Sequence, residues 1–217
     1  MKKLIGYALL SVWPVFVISM VVLESAQCGW NRTIWQDAAC KSPDKPRPRM
    51  NVAYDYQKSG QFSHALDHYQ HAIRLSYNPR LNSREQDMTR LLAATNISQI
   101  LLHSNNLESA RKILESTWNA YPGFPGIATN LSAILVSDGQ YQLAVDILER
   151  AILSVPEYSW YPSMNIAALH YNLGESYSQL NNCPSANAAF KRAIILDPGL
   201  TIPTCNSTET ENTSNGI

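Results

Sequence analysis

Apolar residues recur along this chain at helical spacing, and short polar stretches break the pattern at regular intervals. Period and punctuation together predict eight helices, over 47–59, 62–76, 83–103, 107–120, 125–137, 141–154, 162–180 and 184–196. Gly60, Asn105-Asn106, Gly139 and Asn181-Asn182 fall between successive members of each pair, where a tight turn often needs φ > 0. Before the helices stands Leu4–Leu23, twenty residues without a charge. After Gly199 the chain turns polar and aperiodic, without Lys or Arg, which reads as a disordered tail.

Small residues sharpen the helical pattern into a repeat. Gly174, Ala186, Ala193 and Pro198 are spaced by 12, 7 and 5 residues. The same spacing holds for Ala53, Ala65, Ala72 and Tyr77, with the proline delayed to Pro79. It holds again for Ser98, Ala110, Thr117 and Pro122, and for Ser132, Ala144, Ala151 and Pro156. A residue without bulk lets two helices approach closely, and proline ends the second because it lacks the next donor. Ala65, Ala110, Ala144 and Ala186 are 45, 34 and 42 residues apart. The extra residues are placed at Arg80–Arg90 and Glu157–Ile166, as longer first helices or loops entering the second and fourth repeats.

Leu173-Gly174-x-x-Tyr177, Ala186-x-x-x-Phe190, Ala193 and Pro198 together resemble a tetratricopeptide repeat (TPR). The resemblance implies an all-α fold, an α-solenoid of about four TPR helix pairs, and the apolar Leu4–Leu23 segment is expected to add one N-terminal transmembrane helix before it. The division expected is 1–24 transmembrane anchor or uncleaved signal, 25–49 juxtamembrane segment and Pro-rich spacer, 50–198 TPR domain and 199–217 tail. In the juxtamembrane segment, Trp35, Asp37, Lys41-Ser42-Pro43, Lys45, Arg47 and Asn51-Val52-Ala53 resemble the join in TMTC-type and bacterial TPR-bearing membrane glycosyltransferases. No active site comes with that likeness, because the many-helix catalytic membrane portion is absent from this sequence. A short helix bearing Ile34, Trp35 and Ala38 is expected to cover the open end of the first repeat. Pro43, Pro46 and Pro48 are expected to form a stiff spacer.

Leu4–Leu23 matches the roughly 30 Å thickness of a bilayer interior at 1.5 Å per residue. A cleaved signal peptide is the alternative, but Glu24 and Gln27 fit a cleavage site poorly. Lys2 and Lys3 place the N-terminus in the cytoplasm and the repeats on the periplasmic or other extracytoplasmic side of a single-pass membrane protein.

Charge excludes one class of partner. Lys and Arg total 17, Asp and Glu total 17, and no basic run offers a nucleic-acid surface. No phosphate loop, HExxH or nucleophile elbow is present, so the reading is not an enzyme and calls for no cofactor. His64, His68 and His71 share a helix face, but no carboxylate or Cys completes a metal shell, and they read as solvated. Cys28, Cys40, Cys183 and Cys205 are too scattered for zinc, and their disulfide connectivity is open. Asn31, Asn96, Asn130, Asn206 and Asn212 head N-x-S/T sequons, of which Asn96 and Asn130 lie inside predicted helices.

Two places before each first-helix packing residue stands an asparagine: Asn51, Asn96, Asn130 and Asn172. An amide both donates and accepts, so a row of them can hold a peptide backbone. The TPRs of O-GlcNAc transferase are the family precedent for such a ladder, and the other reading is that the amides serve the fold. Tyr54, Gln99, Tyr171 and Glu175 are the neighbours expected in the same groove, which lacks the Lys/Arg pairs of a carboxylate clamp. The expected function is a membrane-anchored adaptor or scaffold binding a protein or extended peptide. The alternative is a detached regulatory or substrate-presenting module of a membrane glycosyltransferase system. Self-association through the C-terminal face is expected from Ile194 and Ile195, which no further helix follows.

Overall fold

A computed structural model describes residues 33–160 and 163–205, with only the backbone described at 163–165. Nine α-helices lie among the described residues: α1 Ile34–Lys41, α2 Pro46–Lys58, α3 Phe62–Ser76, α4 Ser83–His103, α5 Leu107–Ala120, α6 Pro125–Ser137, α7 Tyr141–Ser154, α8 Ser163–Gln179 and α9 Cys183–Leu196. No strand occurs among the described residues. The fold is an all-α solenoid of TPR-type helix pairs, α2–α3, α4–α5, α6–α7 and α8–α9. The chain divides into two compact units at Thr89–Arg90, within α4.

Each pair turns back on itself in the same way. Gly60, Asn105, Gly139 and Asn181 have φ of 74°, 56°, 75° and 57°. In each turn a backbone N–H reaches back five residues to a carbonyl of the first helix: Gln61 to Tyr56, Asn106 to Leu101, Gln140 to Leu135 and Asn182 to Tyr177. These bonds satisfy carbonyls that a helix end would otherwise leave unpaired. Asn106 and Asn182 then cap α5 and α9, accepting from the backbone N–H groups of Ser109 and Ser185.

In the first unit, α1 and α3 pack against α2. Thr33 and Gln36 form a capping box at the start of α1, and Ala39 is its buried residue. Of the residues expected to cover the first repeat, Ile34 and Trp35 are 83% and 36% exposed while Ala38 is half-buried, so α1 packs mainly through Ala38 and Ala39. Of Pro43, Pro46 and Pro48, the last two lie within α2. Pro46 takes the first position of α2, where a missing N–H costs nothing, and is buried there. Val52, Ala53, Ala65, Tyr69 and Ala72 form the interior, and Tyr69 Oη donates to Gln57 Oε1 at 2.7 Å.

In the second unit one apolar core runs through α4 to α9, including Leu91, Leu114, Phe124, Ile134, Leu148 and Leu169. The packing places behave as their size requires: Ser98, Ala110, Ser132, Ala144, Ala151, Ala186 and Ala193 are each 0% exposed. The extra residues before the second and fourth repeats become a 21-residue α4 and, after a 3₁₀ turn at Val155–Tyr158, a 17-residue α8. Tyr158 and Trp160 from that connection enclose Phe124, at ring distances of 5.1 and 5.8 Å.

The single-pass topology must be corrected. No helix among the described residues is long and apolar enough to cross a membrane, and the segment Leu4–Leu23 lies outside them. The placement of the repeats on the extracytoplasmic side therefore falls with it.

Gly174 is a packing place with no room for a side chain. A Cβ there would meet Phe190 Cδ1 and Cε1 at 2.6 Å, well inside contact distance. Phe190 is wholly buried against α8, so its ring has little room to withdraw. Gly174→Ala is expected to destabilise the chain by about 1–3 kcal/mol through overpacking, despite alanine's better helix propensity. Urea unfolding measures this, and an unchanged or raised midpoint would contradict the packing described.

Candidate functional site

The asparagines of the second unit occupy one repeating position on alternate helices, and their geometry is the same twice over. Asn130 Nδ2, on α6, donates to Thr95 O at 3.0 Å and to Ser98 Oγ at 2.9 Å on α4. Asn172 Nδ2, on α8, donates to Thr129 O at 3.0 Å and to Ser132 Oγ at 3.1 Å on α6. The receiving serines also donate to the same carbonyls, Ser98 to Thr95 O and Ser132 to Thr129 O, each at 2.8 Å. Thr95 and Thr129 bond their own helices, to Leu91 O and Pro125 O.

Both amide protons of Asn130 and of Asn172 are thus spent on the preceding repeat. Asn130 is only 7% exposed. A side chain so placed fixes the register of one first helix against the next, and the bidentate grip on a peptide backbone is not available to its donors. The signal for this was in the sequence: Thr95-Asn96-Ile97-Ser98 and Thr129-Asn130-Leu131-Ser132 are one Thr-Asn-x-Ser motif, with the receiver built in beside each donor. Read as a sequon, the second copy has a buried amide, already committed.

The remaining residues divide between the units. In the first, Asn51 is half-buried and donates to Arg47 O of its own helix at 3.1 Å. Tyr54 is 48% exposed, with Lys58 Nζ 5.6 Å from its ring centroid. In the second unit Asn96 is half-buried and Gln99 is exposed one turn further along α4. Tyr171 and Glu175 lie one turn apart on α8, both half-buried. Burial, and then the charge and hydrogen bond of Glu175, raise the Tyr171 phenol above its ordinary value. Tyr171 also meets Phe190 edge-on at 5.6 Å.

Other polar contacts tie neighbouring helices together. Tyr177 of α8 donates to Glu149 Oε1 of α7, and this bond above all pushes the phenol up to about 12. Arg111 of α5 pairs with Asp138, the C-cap of α6. In the first unit the Tyr56 ring stacks on His64 and His68 at 5.2 and 5.4 Å. Burial and then the nearby Arg49 charge hold His68 below the usual imidazole value. His68 and His71 are half-buried, where the sequence suggested solvated side chains, and only His64 is exposed. Among the described residues no group of three or more His, Cys, Asp or Glu could hold a metal ion.

No family model and no curated protein matches the chain. Solved structures do. BtubC (BKLC) from P. vanneervenii shares 18% identity over 75% of this chain and 68% of its own, with a TM-score of 0.51. At this identity the likeness shows the fold alone. Weaker likenesses are MamA 41-end from Desulfovibrio magneticus RS-1, 16% identical over 76% and 82% of the two chains at a TM-score of 0.49. YrrB, described as a TPR protein with an unusual peptide-binding site, is 18% identical over 77% and 94% at 0.44.

Removing the amide separates the two roles of the ladder. Asn130→Ala removes two hydrogen bonds from a buried place, leaving Thr95 O and Ser98 Oγ without the donor from the next repeat, and is expected to cost about 1–3 kcal/mol. Asn130→Asp keeps the shape but turns a donor into a charged acceptor facing two oxygens, and is expected to cost more at neutral pH. Thermal and urea melts of both variants check this order. Melting close to that of the unaltered chain in both would contradict a registering role.

Proposed function

We propose that the helix-pair stack is a scaffold that binds a protein or an extended peptide along the first-helix face of the second unit. The observation that carries this reading is the asparagine relay between α4, α6 and α8, which holds three first helices at fixed register. Rigid repeat scaffolds of this kind present extended binding surfaces. The places one turn after Asn96, Asn130 and Asn172 hold Gln99, Ala133 and Glu175; Gln99 and Ala133 are exposed and Glu175 is half-buried. Tyr171 adds a half-buried aromatic edge beside Glu175.

At these places the face carries an amide, a methyl group and one carboxylate, Glu175. It suits backbone and small side chains better than a clustered anion. Binding then rests on Gln99, Tyr171 and Glu175, while the asparagines act through the spacing they impose. The peptide-binding description of YrrB accords with this reading.

A peptide library displayed on phage and selected on the full chain supplies the probe. Ala133→Arg places a long charged side chain in the middle of the face without touching the core. It is expected to lower the affinity of selected peptides at least tenfold, about 1.4 kcal/mol, with melting unchanged. Selected peptides that bind the Ala133→Arg chain as tightly as the original would sink the proposed surface.

A further inference from the structure

Among the described residues no helix follows α9, which ends at Leu196 before a polar stretch. A TPR stack in this position ordinarily needs a capping helix, because each repeat buries its apolar face only against a neighbour. Here the chain does something else. Leu200 N–H bonds Asp197 O and Gly199 N–H bonds Asp197 Oδ1, which reverses the chain at the foot of α9. Cys205 is then joined by a disulfide to Cys183, the first residue of α9, 22 positions earlier in the chain and at a Cα–Cα distance of 5.2 Å. Asn187 Nδ2, one turn further along, donates to Cys205 O at 3.3 Å.

Distance fixes the path of the intervening residues. The helix from Cys183 to Leu196 rises about 20 Å at 1.5 Å per residue. Five residue steps from Leu200 to Cys205 reach about 17 Å when extended. The segment must therefore run antiparallel to α9, nearly straight. Its side chains sort accordingly: Leu200 and Ile202 are half-buried, while Thr201, Pro203 and Thr204 are exposed. On α9 the stripe through Cys183 and Asn187 continues, eleven residues on, at Ile194. Ile194 is half-buried, whereas Ile195, on another face, is 61% exposed.

We propose that residues 200–205 are a strap that closes the end of the stack, held by a bond that a dithiol can open. The chemistry of release is ordinary exchange. A reductant thiolate attacks the sulfur of Cys205, which is the more exposed of the pair, and Cys183 leaves as a thiolate. Cys183 sits at the first position of a 14-residue helix, where the N-terminal dipole favours a negative sulfur. The second reductant thiol then displaces Cys205, so the cystine takes up two electrons and two protons and the reductant becomes a cyclic disulfide. The strap is free to leave the Cys183–Asn187–Ile194 stripe, which becomes an open face at the end of the scaffold.

Native-state hydrogen exchange on the full chain, with and without dithiothreitol, tests this. Alkylation and peptide mapping at Cys183 and Cys205 report release, and far-UV circular dichroism reports helicity. Cys40 is also disulfide-bonded and will respond to the reagent. A Cys183→Ser/Cys205→Ser chain without reductant therefore isolates the strap. Exchange of the Phe190–Leu196 amides is expected to rise at least tenfold in both cases, with the Leu131–Leu135 amides of α6 unchanged and helicity retained. Unchanged α9 exchange after both cysteines are alkylated would overturn the proposal. So would loss of helicity or faster α6 exchange on reduction, which would make the bond a staple of the whole unit.

Discussion

The second unit depends on one kind of hydrogen bond, the side-chain amide of an asparagine reaching back to the helix of the preceding repeat. Helix stacks held by apolar contact alone can slide, because a leucine is nearly as content one notch along as in place. A two-pronged amide is not. Asn130 must find both Thr95 O and Ser98 Oγ, and a shift of a few ångströms would bury two donors without partners. Burial makes that penalty large, and Asn172 repeats it with Thr129 and Ser132. The core supplies the attraction between α4, α6 and α8; the relay supplies the register.

The relay also explains the choice of small residues. Ser98 and Ser132 occupy the place where first and second helices touch, so they must be slight, and each carries a hydroxyl that the next repeat uses. Ala53 and Gly174 hold the same place in the first and fourth repeats and have no hydroxyl to offer. At Gly174 even a methyl group is excluded, because Phe190 lies against the helix. After α9 the described residues 200–205 are tied back by the Cys183–Cys205 bond, where each earlier pair is followed by another.

Much of this was legible beforehand. The spacing of Ala65, Ala110, Ala144 and Ala186 located the pairs, since close helix approach leaves few alternatives to alanine. Gly60, Asn105, Gly139 and Asn181 marked the turns because positive φ is costly for other residues. The asparagines were found by the same period, but period fixes only a sector of the helix. It does not say whether an amide at the edge of that sector turns outward or toward the neighbouring repeat; Thr-Asn-x-Ser was the clue that decides it. The proline-rich segment misled because Pro46 looks alike in a spacer and at the first position of a helix. Cysteine pairing was beyond reach, since four cysteines allow three pairings and the sequence does not show that the tail doubles back.

Exchange of the side-chain NH₂ protons of Asn130 and Asn172 bears most directly on the register argument. In an ¹⁵N-labelled full chain, these four protons should exchange at least about a hundredfold more slowly than those of an exposed amide such as Gln99, because release needs the repeats to part. Exchange at the rate of Gln99 would show the amides to be free, and the repeats to be held in register by something else.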